Sequence, residues 1–226
     1  MSGEKEEAMA DQLPAEEDLD RLPTDKELAR LQRTTVLYYL HETNPDNGLV
    51  RDKTDPDAPC SIAAVGLALA TIPAVVERGV LIRKFGAKSA RRRLRSLMNL
   101  PQGPEPDTAG HKGFFYHFLD IDTGRRVWNC ELSTLDSAFL FAGALTCATY
   151  FDADTEEEVE VRRLADALYR RADWNWACDG GPTLTHGWRP ESGFIPHRWQ
   201  GYDEGLLLYI LGLGSPTHPL PPESYR

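Results

Sequence analysis

The chain has 226 residues, 41% hydrophobic and 27% charged, a balance typical of a soluble globular chain large enough to bury one core. Its formal net charge is -10, and the first twenty residues, with eight acids and one lysine, carry -7 of it, leaving -3 for the rest. That balance disfavours nucleic acid as a partner, because phosphate binding needs a basic surface.

Residues 1–23 are acidic and poor in apolar side chains, which predicts a disordered tail, with the folded domain over 24–226. Thr24-Asp-Lys-Glu predicts a capped helix running through Leu28, Leu31, Val36 and Leu40 to about His41. After a turn-rich loop at residues 44–52, Ser61 caps a mostly apolar helix from Ile62 to about Val80, with Pro73 as an expected kink. A basic amphipathic helix follows from Lys88 to Leu100, whose Arg91, Arg92, Arg93 and Arg95 read as a solvated face. Residues 113–127 read as a strand pair turning at Asp122-Thr-Gly. An apolar helix follows from Ser133 to about Phe151, and an acid-headed amphipathic one from Asp154 to about Ala172. A second strand pair from Leu184 turns at Pro190 to Gly193, and a last apolar helix starting near Gly201 stops at Gly212 and Gly214.

Strands occupy only the links and no βαβ alternation is present, so the fold class is all-α rather than a doubly wound sheet. Apolar helices alternating with amphipathic ones suit a two-layer ring, with function on the loops of one rim. Cys60, Cys130, Cys147 and Cys178 form no close pair, so neither a metal site nor a cofactor is expected. No apolar run is long enough to span a membrane, and residues 1–20 lack the apolar core of a secretory signal. The expectation is therefore a cytoplasmic chain, or a periplasmic one if the true N-terminus lies upstream.

Two stretches place an aromatic and carboxylates at the head of an apolar helix after a strand pair. One runs from Trp128 through Glu131 to Asp136, and the other from Trp199 through Tyr202 and Asp203 to Glu204. Aromatic faces stack on sugar rings, and carboxylates bind hydroxyls or serve as acid and base at a glycosidic bond. Each feature has a structural alternative. Glu131, Asp136 and Glu204 could simply complement a helix terminus, and Glu131 and Asp136, five apart, do not share one helix face. His117 could be a hydrogen-bonded strand histidine, and Arg198 could bind a sugar hydroxyl or pair with Glu191. Tyr116, Trp128, Trp188 and Tyr202 fit a core as well as a platform.

Gly113-Phe-Phe-Tyr-His-Phe-Leu-Asp, Glu131-Leu-Ser-Thr-Leu-Asp and Trp199-Gln-Gly-Tyr-Asp-Glu-Gly, with the later Gly-Ser-Pro-Thr-His-Pro, resemble the glycoamylase-like domain of glycoside hydrolase family 144. These are endo-β-1,2-glucanases, related to domains of cyclic β-1,2-glucan synthases. The resemblance implies an (α/α)6 toroid and an inverting hydrolase of β-glucan oligosaccharides. It implies Glu204 as general acid, with Asp203 where the family has Asn, and Asp136 as a substrate-site carboxylate. The remaining candidates for contact with the sugar, from residue type and position, are Glu131, His117, Tyr116, Trp128, Trp188, Arg198, Trp199 and Tyr202. A family barrel has twelve helices and about six are expected here, an incomplete ring with short hairpins in its links. The implied general base then lies on a complementary C-terminal half of the barrel, and the fragment is expected to be inactive alone. The alternatives are a non-catalytic carbohydrate-binding or assembly module and a transglycosylating domain.

Overall fold

The structure is a computed structural model, and it describes residues 23–225. The expected disorder of the acidic tail therefore concerns residues almost all outside the described range. Two units are distinguished, residues up to 37 and residues from 38 onward. Helix α1 (Asp25–His41), which runs from the first into the second, begins with the expected capping box: Glu27 N–H donates to Thr24 Oγ1 at 3.3 Å, and Thr24 N–H to Glu27 Oε2 at 2.8 Å.

The second unit is mostly helical with two short antiparallel sheets. Its helices are α2 (Ile62–Glu77), α3 (Arg83–Asn99), α4 (Thr134–Tyr150), α5 (Glu156–Arg170), the single turn α6 (Trp174–Ala177) and α7 (Leu206–Leu213). Its strands are β1 (Cys60–Ser61), β2 (Gly110–His111), β3 (Phe114–Tyr116), β4 (Phe118–Leu119), β5 (Leu132–Ser133), β6 (Gly187–Arg189) and β7 (Gly193–Phe194). Among the described residues no helix is long and apolar enough to cross a membrane.

Helices α2 and α4 are apolar on most of their circumference and pack against each other at the centre. Gly66 and Gly143 make this possible. A Cβ on Gly66 would lie 2.6 Å from Leu140 Cα, and one on Gly143 would lie 2.7 Å from the carbonyl carbon of Gly66. Backbone touches backbone here, so no rotamer change would relieve a larger residue. Around this contact Ile62, Val65, Leu69 and Ile72 join Leu140, Phe141 and Ala144 in the buried core.

Pro73 does not break α2, which runs on to Glu77. A proline cannot donate to the carbonyl four residues back, which would leave Leu69 O without a partner. Cys147 of α4 supplies one, its thiol donating to Leu69 O at 3.1 Å. Burial pushes the Cys147 and Cys60 thiols up to about 12, so neither ionises near neutral pH.

The amphipathic helices α3 and α5 lie outside. Arg83 bridges them, donating to Glu158 Oε1 at 2.9 Å and Oε2 at 2.8 Å. Arg95 pairs with Glu160. The basic face of α3 is less solvated than its sequence suggests. Arg93 is buried and donates to Gly48 O at 3.0 Å, Ser89 Oγ at 2.9 Å and Thr43 Oγ1 at 2.9 Å, which holds the 43–51 loop. A guanidinium with every fork engaged tolerates burial, though burial lowers its pKa to about 10.

The second expected hairpin forms, with β6 pairing β7 across the turn after Arg189, but the first does not. β3 and β4 do not pair with each other. β4 pairs with β1, while β3 lies between β2 and β5 in a five-stranded sheet of order β2-β3-β5-β6-β7. The missing link is β5, two residues that read in sequence as the approach to a helix. The 120–124 turn does form, closed by a bridge between Leu119 and Arg126 with Thr123 N–H donating to Asp120 Oδ1 at 2.7 Å.

Replacing Gly143 with Ala should destabilise the protein by up to about 2 kcal/mol, because the added methyl meets backbone that no rotamer change relieves. Overpacking costs roughly 1–3 kcal/mol, and the helix-propensity gain of roughly 1 kcal/mol offsets only part of it. Urea unfolding of the variant checks this. An unchanged midpoint would show that the two helices can separate freely.

Candidate active site

The five-stranded sheet sorts its side chains by alternation. Phe115 faces Ser133, and Ser133 faces Gly187 across the ladder. His117, Glu131, Ser133 and Arg189 therefore share one face, since side chains two apart along a strand point the same way. Tyr116, Leu132, Trp188 and Phe194 share the other.

His117 is the centre of the first face. Its Nδ1 lies 2.9 Å from Glu131 Oε1, and its Nε2 lies 3.7 Å from Asp136 Oδ1. Arg189 Nη2 donates to Glu131 Oε2 at 3.2 Å. Asp136 comes from a different element. Ser133 is the N-cap of α4 and accepts from Asp136 N–H at 3.1 Å, while its hydroxyl donates to Asp136 Oδ2. The cap thus fixes one carboxylate oxygen and leaves the other towards the imidazole.

The electrostatics follow from this order. Burial opposes a charge on His117, but the hydrogen bond it donates to Glu131 and the charges of Asp136 and Glu131 outweigh it and raise its pKa. The hydrogen bond to His117 holds Glu131 below the usual carboxylate range against the opposing effect of burial, with help from Arg189. The cluster is a hydrogen-bonded array at a partly open surface.

An aromatic wall stands beside it. The His117 ring stacks on Phe118 at 3.9 Å, and Phe118 meets Trp128 at 5.3 Å. Trp128 is 69% exposed, and both it and Asn129 adopt left-handed backbone conformations, φ 58° and 50°. A large residue held there carries strain that the surrounding structure must impose. The turn is closed by Cys130 N–H donating to Val127 O at 3.1 Å, and Arg126 braces it, donating to Cys130 O at 2.6 Å and to Glu191 Oε1 at 2.6 Å while lying 4.6 Å over the Tyr116 ring.

The second acid-headed stretch is arranged differently. α7 starts at Leu206, so Tyr202, Asp203 and Glu204 lie on the loop before it and not in its first turn. Asp203 Oδ1 accepts from Gly205 N–H at 2.8 Å and shapes that loop. Glu204 is exposed and Tyr202 is 91% exposed. Trp199 anchors the loop: its indole N–H donates to Thr134 Oγ1 at 3.2 Å and its ring stacks on His186 at 4.0 Å. The start of α4 and the lead into α7 are tied together this way.

Three expected substrate contacts are placed elsewhere. Tyr116 is fully buried beneath Arg126 and belongs to the core. Trp188 is on the opposite sheet face, 5.0 Å from His111 and 5.8 Å from Trp176. Arg198 donates to the carbonyls of Cys178, at 2.8 Å, and Thr183, so its guanidinium fixes a loop, and Glu191 pairs with Arg126 instead. Arg189 is the contributor whose role the sequence left unread. Arg189 lies two residues from Gly187 on the Glu131 face, a fact visible only once the strand register is known. Among the described residues no group of His, Cys, Asp and Glu has metal-binding geometry.

Residues 196–226 match the Glycoamylase family, described as glucoamylase. The exo β-1,2-glucooligosaccharide sophorohydrolase (non-reducing end) of Parabacteroides distasonis is 28% identical over 205 residues, covering 86% of this chain and 27% of that protein. The crystal structure of a β-1,2-glucanase from the same species matches with a TM-score of 0.80 at 25% identity, over 90% of this chain and 29% of that one. The chain resembles the glycoamylase-like hydrolases. An endo-β-1,2-glucanase from Chitinophaga pinensis, 22% identical, shares the fold with a TM-score of 0.79 over 90% of this chain and 50% of that one. The chain thus spans between about a quarter and a half of the length of these relatives.

NMR titration of His117 should give a pKa above the ordinary 6.5, and Glu131→Gln should lower it. For stability the signs are opposite for the two partners. The raised His117 contributes fully below 6.5 and loses its contribution as pH rises through its folded value. The depressed Glu131 contributes fully above 4.5 and loses it as pH falls through its folded value. The stability difference between wild type and Glu131→Gln should therefore be largest between these two ordinary values. A pH-independent difference would contradict the ion pair.

Proposed function

We propose that the chain is part of a glycoside hydrolase acting on β-1,2-linked glucan, and that the His117 face is its sugar-binding rim. The observation that carries this reading is Trp128, exposed and strained into place beside an imidazole flanked by two carboxylates. A flat apolar face next to charged hydrogen-bonding groups suits a pyranose, which has one apolar face and a belt of hydroxyls. The similarity to β-1,2-glucan hydrolases supplies the linkage, which the geometry of the site does not by itself dictate.

In this reading the helices belong to an (α/α)6 toroid, with α2, α4 and α7 inside and α3 and α5 outside. Leu67 of α2 and Ile210 and Leu213 of α7 are apolar and 45%, 61% and 39% exposed, as expected of inner helices that meet further helices of a ring. A complementary half of the barrel is the partner this face would accept. Glu204, on the loop clamped to α4 by Trp199, donates the proton to the leaving glycosidic oxygen. Asp136 and Glu131 bind hydroxyls of the sugar. An inverting reaction also needs a base roughly 6.5–9.5 Å from the acid to activate water, and that base comes from outside this chain.

A second reading, a carbohydrate-binding module without turnover, is favoured by Glu204 itself, which makes no hydrogen bond or ion pair among the described residues. Incubation with linear β-1,2-glucan, followed by chromatography of the products and calorimetry of binding, separates the two. The proposal expects gluco-oligosaccharide products from the chain completed by the other half of the ring, with Glu204→Gln slowing turnover about 10²–10⁴-fold. Binding without products in that assembly selects the second reading, and absence of binding refutes both. Trp128→Ala should weaken glucan binding without lowering the melting temperature, because the ring is largely in solvent.

A further inference from the structure

The end of α2 farthest from the sugar site carries apolar side chains that nothing in the chain covers. Val80, Ile82 and Phe85 are 49%, 68% and 57% exposed. Single apolar residues in solvent are ordinary, but three within six residues at one turn form a patch. Ile62, the first residue of α2, donates its N–H to His117 O at 3.2 Å, and the helix runs 16 residues from there. The tip therefore lies about 24 Å from the His117 rim.

The turn presents these side chains through its own bonding. Gly79, at φ 68°, ends α2. Its N–H donates to Val76 O at 2.9 Å, and the N–H groups of Val80 and Leu81 donate to Val75 O at 3.1 and 3.3 Å. This left-handed ending satisfies the last carbonyls of the helix. Leu81 packs against the core, which leaves its neighbours Val80 and Ile82 outside, and Phe85 joins them from the first turn of α3. A Cβ on Gly79 would meet nothing within 4 Å. Such a tip protrudes, where a docking groove would recede.

The charge around the tip is of one sign. Residues 78–104 hold eight cations and no acid. Arg83, Arg91 and Arg95 engage Asp152, Glu156, Glu158 and Glu160, the acids that face them from α5 and the loop before it. Arg93 is buried, and Arg92 donates to Pro45 O. The side chains of Arg78, Lys84 and Lys88 remain, exposed and without a hydrogen bond or ion pair among the described residues. Lys84 and Lys88, one turn apart, share the exposed face of α3 with Phe85, and Arg78 stands beside Gly79. Glu77, the nearest acid in sequence, accepts from the Tyr150 hydroxyl at 2.6 Å. The positive rim is thus left for a partner outside the chain.

We propose that the 80–85 tip docks on the surface of an anionic lipid bilayer. Val80, Ile82 and Phe85 enter the boundary between headgroups and acyl chains, and Arg78, Lys84 and Lys88 meet the lipid phosphates. Apolar burial and charge attraction act together in such contacts, and one signal alone gives only marginal, reversible binding. No part of the chain needs to span the bilayer, and the His117 rim at the other end of α2 stays open. The contact is independent of the glucan reading and stands if that reading fails.

Sedimentation of the chain with vesicles of phosphatidylcholine, and of phosphatidylcholine with about 30% phosphatidylglycerol, tests it. The chain is expected to sediment with the anionic vesicles, to bind the neutral ones about tenfold or more weakly, and to be released by salt. Phe85→Ser should weaken binding about tenfold or more. Lys84→Gln should weaken it about fivefold, on the anionic vesicles alone. Both side chains are in solvent, so circular dichroism should show the fold retained in each variant. No sedimentation with anionic vesicles, equal binding to both vesicle types, or undiminished binding of Phe85→Ser overturns the proposal. So does a chain that light scattering shows to be a dimer without lipid and a monomer as Phe85→Ser, a result that assigns the tip to a second copy.

Discussion

The backbone contact between α2 and α4 at Gly66 and Gly143 is the constraint on which the other elements depend. It brings the backbones of the two apolar helices into direct contact, and it sets where the N-terminus of α4 emerges. Ser133, Thr134 and Asp136 all sit at that end. Ser133 aims the Asp136 carboxylate, Thr134 receives the Trp199 indole, and β5 immediately before them carries Glu131 into the sheet. A shift of α4 along α2 would move the carboxylate, the loop clamp and the sheet together. The Cys147 thiol on Leu69 O opposes such a shift at the other end, at the place where Pro73 leaves a carbonyl open.

The site then draws on three elements with different local physics. β3 runs on into His117, the lead into β5 supplies Glu131, and the first turn of α4 supplies Asp136. Because two carboxylates flank one ring, each can favour the same protonated imidazole, and Arg189 keeps Glu131 charged from behind. Trp128 is tied to the same sheet through Arg126 and Glu191. Its strained backbone is maintained by hydrogen bonds made by its neighbours rather than by contacts of its own ring, which leaves the ring free in solvent.

Local signals in the sequence were readable where short-range chemistry decides. Thr24, Ser61 and Ser133 cap helices where Ser/Thr placement indicated, and the acids of Glu156 to Glu158 open α5. Long-range pairing was not readable. Nothing in Leu132-Ser133 by itself marks a strand, so the sequence did not reveal that β5 joins β3 to the β6–β7 hairpin in one sheet. The five-residue spacing of Glu131 and Asp136 argued against a shared helix face, which is correct. They converge because Glu131 is not on the helix. Tyr116 and Arg198 show the same limit from the other side: the residue types suit a sugar site, but register buries one and nearby carbonyls occupy the other. Arg93 shows that a basic helix stripe can hide a core residue when a facing loop offers carbonyl and hydroxyl acceptors.

The central claim is that the His117 face binds sugar. A crystal structure of the chain with a β-1,2-linked gluco-oligosaccharide tests it most directly. The account predicts a pyranose ring stacked on Trp128 with hydroxyls on Asp136 and Glu131. An oligosaccharide bound elsewhere, with the Trp128 face empty, would contradict it.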